Sequence, residues 1–394
     1  MRGKEMSRGY RIAVTLLALS FFAAASGCGR VVAPTSQNGA ATPAARVAGP
    51  ASSTAASGGS IRGPFEGEAK KLNGAGATFP QPLYARWFEE YARLTGVEIN
   101  YQGIGSGGGI TSISEMSVDL GASDASMTDE QLTAAKGGEI YHVPMALGAV
   151  VATYNIPEVS TPLKFSPETL PGIFLGEIRT WNDPKLTAEN PGVRLPDRDI
   201  VVVHRSDGSG TTNIFTDYLS SVSEKWQKEV GHSTSVSWPV GLGGQGNPGV
   251  AVQVKLVPYS IGYVELIYAL QNKLGYGLVK NKSGNYIEPS LESVTEAAAG
   301  ISSAIAPDLR ASIVNGPGDK AYPISGFTWM LVYRNMNDKA KAVAVTRLLW
   351  WAIHDGQKLN ASLGYAPLPE GIVKKAEEKV KSITVQGKPA LPGQ

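Results

Sequence analysis

Cysteine is nearly absent from this chain of 394 residues, which contains only Cys28. A chain with one cysteine cannot form an internal disulfide, so packing must stabilise its fold. Histidine is also scarce, with four residues and no His-x-x-x-His pattern, and no clustered acids suggest a metal site. We therefore expect neither a metal nor a cofactor.

An excess of charge of one sign is also missing. The formal net charge is +2, and the first 28 residues hold Arg2, Lys4, Arg8 and Arg11 against Glu5. Without that segment the net charge becomes −1. A nearly neutral chain lacks the basic surface typical of nucleic-acid binding, so no nucleic-acid partner is expected. Any anion must be held by local groups rather than by an overall field.

The N-terminus lacks an apolar run of the roughly 20 residues that a spanning helix requires. Its shorter apolar run, Ile12 to Ala25, follows basic residues and precedes Cys28, as in an export signal. The segment Ala25-Ser26-Gly27-Cys28 resembles a bacterial lipobox, in which the cysteine is lipidated, although its first position is usually leucine. We expect residues 1–28 to be a lipoprotein signal peptide and Cys28 the lipid attachment site. A soluble exported protein cleaved nearby is the alternative.

Residues 29–68 are rich in Ala, Ser, Thr, Gly and Pro and have few large apolar side chains. Such a segment cannot bury enough surface to fold, so it is expected to be a flexible tether. The folded part is expected to begin near Leu72.

Beyond that point, short apolar or β-branched runs alternate with helical patterns. Residues 97–101, 149–154 and 200–203 are typical of strands, and residues 82–94 and 340–354 of amphipathic helices. This alternation predicts an α/β fold.

Three glycine-rich turns with hydroxyl residues each lie between a predicted strand and a predicted helix: residues 74–80, 103–109 and 207–212. Glycine lets backbone N–H groups approach a ligand, and the start of a helix favours an anion. A single turn of this kind usually contains no more than a helix N-cap. Three turns in one chain favour an anion site.

Sequence motifs for nucleotide binding give only weak evidence in this chain. Residues 103–108 and 241–246 both match G-x-G-x-x-G, and Asp124 lies roughly where a ribose-binding acid would fall. This fingerprint alone is unspecific, and an exported protein rarely meets a nicotinamide cofactor. No G-x-x-x-x-G-K-[ST] motif is present, which disfavours a P-loop site.

Two kinds of charged residue accompany the turns. Arg205 precedes the third turn and offers paired, permanently charged donors, and Asp207 could hold its guanidinium in place. A surface ion pair is the alternative for these two residues. Asp124 should repel an anion unless the ligand carries a proton that the carboxylate can accept. Otherwise Asp124 or Ser126 merely caps the helix that follows.

These stretches together resemble the phosphate-binding proteins of bacterial high-affinity phosphate ABC importers. The matching words are GAGATFP at 74–80, YQGIGSGGG at 101–109, GASDA at 121–125, RSDGSGTT at 205–212, WPVGLGGQGNPGV at 238–250 and IGYVE at 261–265. The resemblance implies a two-lobed periplasmic-binding-protein fold (type II), with α/β lobes joined by crossing strands. Residues 69–150 and 322–394 would form lobe 1, and residues 151–321 lobe 2.

The resemblance also implies the ligands of one inorganic phosphate ion, with no departure at the matching positions. The implied phosphate-binding residues are Thr78, Phe79, Ser106, Asp124, Arg205, Ser209, Gly210 and Thr211. Asp207 would brace Arg205. The expected partners are two membrane-spanning permease subunits with a cytoplasmic ATPase, and the expected location is extracytoplasmic, lipid-anchored to a membrane.

Two rival functions stay open at this point. One is an extracellular phosphatase-like enzyme, but no G-x-S-x-G elbow surrounds Ser106 or Ser209, and nothing supplies both a nucleophile and a base. The other is a binding protein for another oxyanion such as molybdate or sulfate, against which Asp124 argues. We expect a binding protein and not an enzyme.

Overall fold

The structure is a computed structural model that describes residues 61, 63, 65–301 and 305–391. The expected signal peptide, Cys28 and tether residues 29–60 lie outside the described residues. Near the end of the expected tether, Glu68 is buried and forms an ion pair with Arg347. Phe65 packs over the same guanidinium, at 3.3 Å from the ring centroid. Packing against the folded part therefore begins a few residues before Leu72.

The helices of the described residues include five of eleven residues or more. Their bounds are α1 (Gln81–Thr95), α2 (Ser106–Ser114), α3 (Asp129–Ala134), α4 (Thr169–Phe174), α5 (Pro184–Glu189), α6 (Gly210–Val222), α7 (Glu224–Glu229), α8 (Gly246–Leu256), α9 (Leu266–Asn272), α10 (Leu291–Ala299), α11 (Lys339–Ile353) and α12 (Glu370–Lys381). None of these helices has both the length and the apolar character needed to cross a membrane.

The strands range from two residues to the sixteen of β4. Their bounds are β1 (Lys71–Gly76), β2 (Glu98–Gly103), β3 (Leu120–Ser123), β4 (Ile140–Asn155), β5 (Lys164–Phe165), β6 (Val201–Arg205), β7 (Leu242–Gly244), β8 (Ser260–Glu265), β9 (Gly275–Tyr276), β10 (Leu278–Lys280), β11 (Tyr286–Ile287), β12 (Ser325–Tyr333), β13 (Asn335–Met336), β14 (Thr384–Val385) and β15 (Lys388–Pro389).

The main sheet is built around two long buried strands. Its order is β2-β1-β3-β12-β4-β8-β6-β7, with β9 also paired to β4. β4 pairs antiparallel with β12 as far as Ala149 and with β8 from Val150 onward. It thus connects the part of the sheet that contains β1 to β3 with the part that contains β6 and β7.

Local signals explain where the helices begin and end. In α1, Pro82 lies in the first turn, where its missing N–H costs nothing, and Gly96 ends the helix with φ +73°. The apolar face of α1 buries Leu83, Trp87 and Tyr91, which confirms the predicted amphipathic helix. The predicted helix at 340–354 is α11.

The predicted strands also form, with small shifts at their ends. The strand predicted at 97–101 is β2, the one at 200–203 is β6, and the one at 149–154 is the second part of β4. β1, β2 and β3 run parallel, so their carboxyl ends meet at one edge of the sheet. The first two glycine-rich turns and Asp124 all follow these carboxyl ends.

Candidate anion site

Each of the three glycine-rich turns joins a strand to a helix, as the sequence predicted. The first turn runs from β1 into α1, the second from β2 into α2 and the third from β6 into α6. The second and third helices begin inside the predicted turns at 103–109 and 207–212, at Ser106 and Gly210, and thus earlier than expected. These two residues therefore lie in first helical turns, whose N–H groups have no acceptor within the helix.

The second and third turns are in direct contact. The Gly107 N–H donates to the Gly208 carbonyl at 2.9 Å. A Cβ atom on Gly105, whose φ is +83°, would lie 2.3 Å from a carboxylate oxygen of Asp207. A Cβ atom on Gly210 would lie 2.5 Å from Ser106 Oγ. Only glycine allows the two turns to approach this closely.

Asp124 follows β3 directly and is almost completely buried. Its Oδ1 accepts a hydrogen bond from Thr328 Oγ1 at 2.8 Å, and its backbone N–H donates to Ser106 Oγ at 3.1 Å. Burial raises the pKa of Asp124 to about 7, although Thr328, Arg205 and Ser106 act to lower it. The following helix α3 is capped by Thr128, with Gln131 completing a capping box. The capping role considered for Asp124 and Ser126 is thus filled by another residue.

Arg205, the last residue of β6, is likewise buried, and it is held by Asp207. Its Nε lies 2.8 Å from Asp207 Oδ1, and its Nη2 lies 2.5 Å from Asp207 Oδ2. Burial disfavours the charged form of Asp207, but the hydrogen bonds and charge of Arg205 outweigh it and lower the pKa of Asp207. The Arg205 side chain is 1% exposed, so the pair is not a surface ion pair. The bidentate contact leaves Arg205 Nη1 directed towards Thr211 Oγ1, at 3.3 Å.

Ser209 and Phe79, at the starts of α6 and α1, provide further hydrogen-bond donors. Ser209 caps α6, and its Oγ accepts from the Thr212 N–H at 3.0 Å. The cap uses a lone pair and leaves the hydroxyl hydrogen free to be donated. The Phe79 N–H has no acceptor within the part of the chain that the structure describes. Its carbonyl accepts from Tyr365 Oη at 2.6 Å, which fixes this turn.

Two further residues of this site, Asn247 and Thr328, were not predicted from the sequence. Asn247, in the first turn of α8, donates from Nδ2 to Thr78 Oγ1 at 3.1 Å and to Thr211 Oγ1 at 3.0 Å. A signal was available, because Asn247 lies within the matching word at 238–250. Thr328 lies in the middle of β12, where no local pattern marks it.

The predicted residues thus come together at one place, where three strand-to-helix turns meet. Asp124 and Arg205 are both within it and both buried, and the hydroxyls of Thr78, Ser106, Ser209 and Thr211 surround it. No group of three or more His, Cys, Asp or Glu residues suited to a metal occurs among the described residues. The arrangement can therefore offer one fixed positive charge, several neutral donors and one carboxylate acceptor.

Known proteins are similar to this chain in sequence and in fold. A family model described as a PBP superfamily domain matches residues 42–345. The phosphate-binding protein PstS of Pasteurella multocida is 42% identical over 316 residues, covering 80% of this chain and 91% of that protein. The PstS protein of Xylella fastidiosa (strain 9a5c) is 44% identical over 308 residues, covering 78% and 84%. The chain belongs to the PstS family of phosphate-binding proteins.

A solved structure has a similar fold. The crystal structure of a phosphate-binding protein from Stenotrophomonas maltophilia has a TM-score of 0.59 with this chain and is 18% identical. The match covers 79% of this chain and 94% of that one, and at this identity it concerns the fold alone. The predicted two-lobed α/β fold of periplasmic binding proteins is confirmed for this member of the PstS family.

Proposed function

We propose that the protein captures one inorganic phosphate ion between its two lobes and delivers it to an ABC import permease. The observation that carries the proposal is that a buried arginine and a buried carboxylate meet at the same three turns. The relatives described above are named phosphate-binding proteins, which supports the same ligand. The lobes would comprise residues 69–150 with 322–394, and residues 151–321.

The donors around Arg205 suit a small oxyanion. The ligands would be the backbone N–H groups of Phe79 and Gly210 and the hydroxyls of Thr78, Ser106, Ser209 and Thr211, together with Arg205 and Asp124. An anion that loses its hydration must regain equivalent hydrogen bonds. Charge-assisted bonds contribute roughly 1.5–3 kcal/mol each, so several of them support micromolar or tighter binding. The direct contact between the second and third turns suits an ion better than a larger molecule.

Asp124 explains the choice of phosphate over other oxyanions. Phosphate keeps at least one proton near neutral pH and can donate it to the carboxylate, whereas sulfate has none. A site built to pair with a ligand hydroxyl can reject an analogue without it by about 10⁴–10⁵. Thr328 donates to Oδ1 of Asp124 at 2.8 Å, whereas Oδ2 has only a long contact of 3.5 Å from Ser106 Oγ, so Oδ2 would be the atom that accepts from the ligand.

The protein would act by binding and not by catalysis. Its buried histidine, His142, accepts a hydrogen bond from the Met127 N–H at 3.0 Å, and burial lowers its pKa to about 3. His142 therefore has a structural role, and none of the four proposed hydroxyl ligands has a histidine as a hydrogen-bond partner. Because none of these hydroxyls is paired with a histidine base, no hydrolysis is expected at this site.

The proposed location is outside the cytoplasm. The signal peptide would be removed up to Cys28, which would carry a lipid anchor, and the part of residues 29–68 that precedes Phe65 would provide reach from the membrane. The transport partners would be two membrane-spanning permease subunits and a cytoplasmic ATPase. Mass spectrometry of the membrane fraction from cells that express the full chain tests the anchor, and an unmodified mature N-terminus would contradict it.

Calorimetry of the mature protein against phosphate, arsenate and sulfate tests the binding function. We expect tight binding of phosphate, comparable binding of its protonated analogue arsenate, and very weak binding of sulfate. Sulfate binding as tight as phosphate binding would refute the role of Asp124. Release of phosphate from a model ester would contradict the proposal that the protein is not an enzyme.

A further inference from the structure

Asn247 connects two of the proposed ligands without being one of the residues predicted from the sequence. Its side chain is completely buried, and the two hydrogens of Nδ2 point to Thr78 Oγ1 and Thr211 Oγ1. Thr78 follows β1 and Thr211 lies in α6, so this one amide spans the two sides of the site.

The orientation of the Asn247 amide is fixed by a third contact. Its Oδ1 accepts a hydrogen bond from the Glu265 N–H at 2.8 Å. A backbone N–H can only donate, so the carbonyl oxygen must face Glu265 and the NH₂ group must face the two threonines. The amide cannot flip without placing two donors against each other.

This orientation determines what the two hydroxyls can do. Thr78 Oγ1 accepts from Asn247 Nδ2 and also from the Asn247 N–H, at 3.1 Å each. Thr211 Oγ1 accepts from Asn247 Nδ2 and from Arg205 Nη1. A hydroxyl has two lone pairs and one hydrogen, so both lone pairs of each threonine are occupied. The single remaining hydrogen of each must be donated elsewhere.

We propose that Asn247 is a positioning residue that fixes the hydroxyls of Thr78 and Thr211 as donors to the bound phosphate, an inference that rests on the proposed function. The phosphate oxygens facing these residues then meet donors alone. The ligand proton cannot be accommodated on that side, so it is directed to Asp124, the acceptor on the other side. Asn247 thereby sets the orientation of the ligand as well as its affinity.

Substitution of Asn247 tests this role. In Asn247→Ala each threonine keeps one donor and can rotate, and we expect phosphate binding to weaken by roughly tenfold to hundredfold. In Asn247→Asp the side chain offers acceptors only, both hydroxyls turn towards it, and the loss is expected to be larger than in Asn247→Ala. Binding by either variant within about twofold of wild type would overturn the proposal.

Asn190 provides a matched control. It is also buried, its Oδ1 accepts from the Lys164 N–H, and its Nδ2 donates to the Lys164 and Leu186 carbonyls. Asn190→Ala therefore removes the same number of hydrogen bonds away from the site. We expect it to lower the melting temperature but to leave phosphate affinity within about twofold of wild type. A loss of affinity matching that of Asn247→Ala would mean that general destabilisation explains both.

A thermodynamic cycle separates positioning from a purely structural role. If Asn247 acts through the two hydroxyls, then Asn247→Ala should cost no more than about twofold in a Thr78→Val, Thr211→Val background. Should that background bind too weakly to measure, either single valine variant should reduce the effect of Asn247→Ala. An undiminished effect would refute the proposal. Failure of the wild-type protein to bind phosphate would overturn the proposed function as well, whereas wild-type binding with unaffected Asn247 variants would overturn this inference alone.

Discussion

Replacing Asp124 by asparagine exchanges a carboxylate for a neutral amide of the same shape, with one acceptor and one donor group. Thr328 Oγ1 donates to Oδ1 of Asp124, so the asparagine would keep its carbonyl oxygen on that side. Its NH₂ group would take the place of Oδ2, next to Ser106 Oγ. The ligand would then meet a donor where it now meets a carboxylate.

The expected change in affinity follows from the hydrogen bonds that each anion gains or loses. Phosphate would lose one charge-assisted hydrogen bond of roughly 1.5–3 kcal/mol, which corresponds to binding weaker by about tenfold to hundredfold. Sulfate would be relieved of an unpaired buried carboxylate and gain a donor, so its binding should tighten by at least a similar factor. The preference for phosphate over sulfate should therefore fall further than phosphate affinity does. Competitive calorimetry measures both, and an unchanged preference would refute the reasoning.

The raised pKa of Asp124 adds a dependence on pH. Below about pH 7 the carboxyl group of the ligand-free protein holds a proton and can donate to sulfate; above it the group is ionised and repels sulfate. Sulfate affinity of the wild type should fall as the pH rises through this value, and that of Asp124→Asn should not. The affinity for phosphate, which keeps a proton on both sides of this pH, should change less. A wild-type sulfate affinity that is constant across this range would contradict the account.

Stability gives an independent check on the same carboxyl group. Its pKa is higher in the folded state than the value of 3.8 for an unperturbed aspartate, so the folded state holds the proton more tightly. The contribution of this proton to the free energy of unfolding is complete below pH 3.8 and is lost as the pH rises through about 7. In ligand-free protein, Asp124→Asn should therefore gain stability relative to wild type, by about 2–4 kcal/mol above pH 7. Urea unfolding at several pH values measures this difference. A difference independent of pH would contradict the conclusion that burial raises the pKa of Asp124.

Three further outcomes are expected. Arg205→Ala should weaken phosphate binding by several kcal/mol, since it removes the fixed positive charge and leaves Asp207 unpaired; a loss below about tenfold in calorimetry would refute its place in the site. Gly210→Ala would put a Cβ atom 2.5 Å from Ser106 Oγ and 2.6 Å from Asp124 Cβ. It should weaken binding at least tenfold by separating the turns, whereas Gly371→Ala, which meets nothing within 4 Å, should not. Small-angle scattering should show a smaller radius of gyration with phosphate than without it, because closure is expected near residues 148–154 and 324–333; identical radii would argue against closure.

The parts of the site that the sequence predicted are those specified by local chemistry. Proline near the start of α1 and glycine in left-handed conformation after it act within a few residues of where they occur. The three turns could be recognised in the same way. The helix starts at Ser106 and Gly210 were placed too late because glycine disfavours a helix. Packing overrides that preference: a Cβ atom on Gly109 would lie 2.4 Å from the Ala122 carbonyl, so α2 requires a small residue there.

The parts that could not be predicted depend on pairing between distant segments. Thr328 reaches Asp124 because β12 pairs with β3, across 204 residues of sequence. Asn247 reaches Thr78 across 169 residues because α8 begins beside the first turn. Apart from the family resemblance at 238–250, which includes Asn247, neither position has a local pattern that distinguishes it from ordinary strand or helix residues. Strand order, which single-sequence periodicity does not contain, decides both contacts.

A helix cap and a ligand, the two roles that the sequence left open for each turn, are compatible with each other because a hydroxyl group both accepts and donates. Ser209 accepts the Thr212 N–H as a cap, and Ser106 accepts the Asp124 N–H. Thr78 and Thr211 accept from Asn247. In all four cases the protein occupies lone pairs of the hydroxyl oxygen. Thr78, Ser209 and Thr211 keep a hydrogen to donate, whereas the Ser106 hydroxyl lies 3.5 Å from Asp124 Oδ2 and donates to it in the ligand-free protein. In the proposed site, these donors would attract any oxyanion, and the buried carboxylate of Asp124 would restrict binding to an oxyanion that carries a proton.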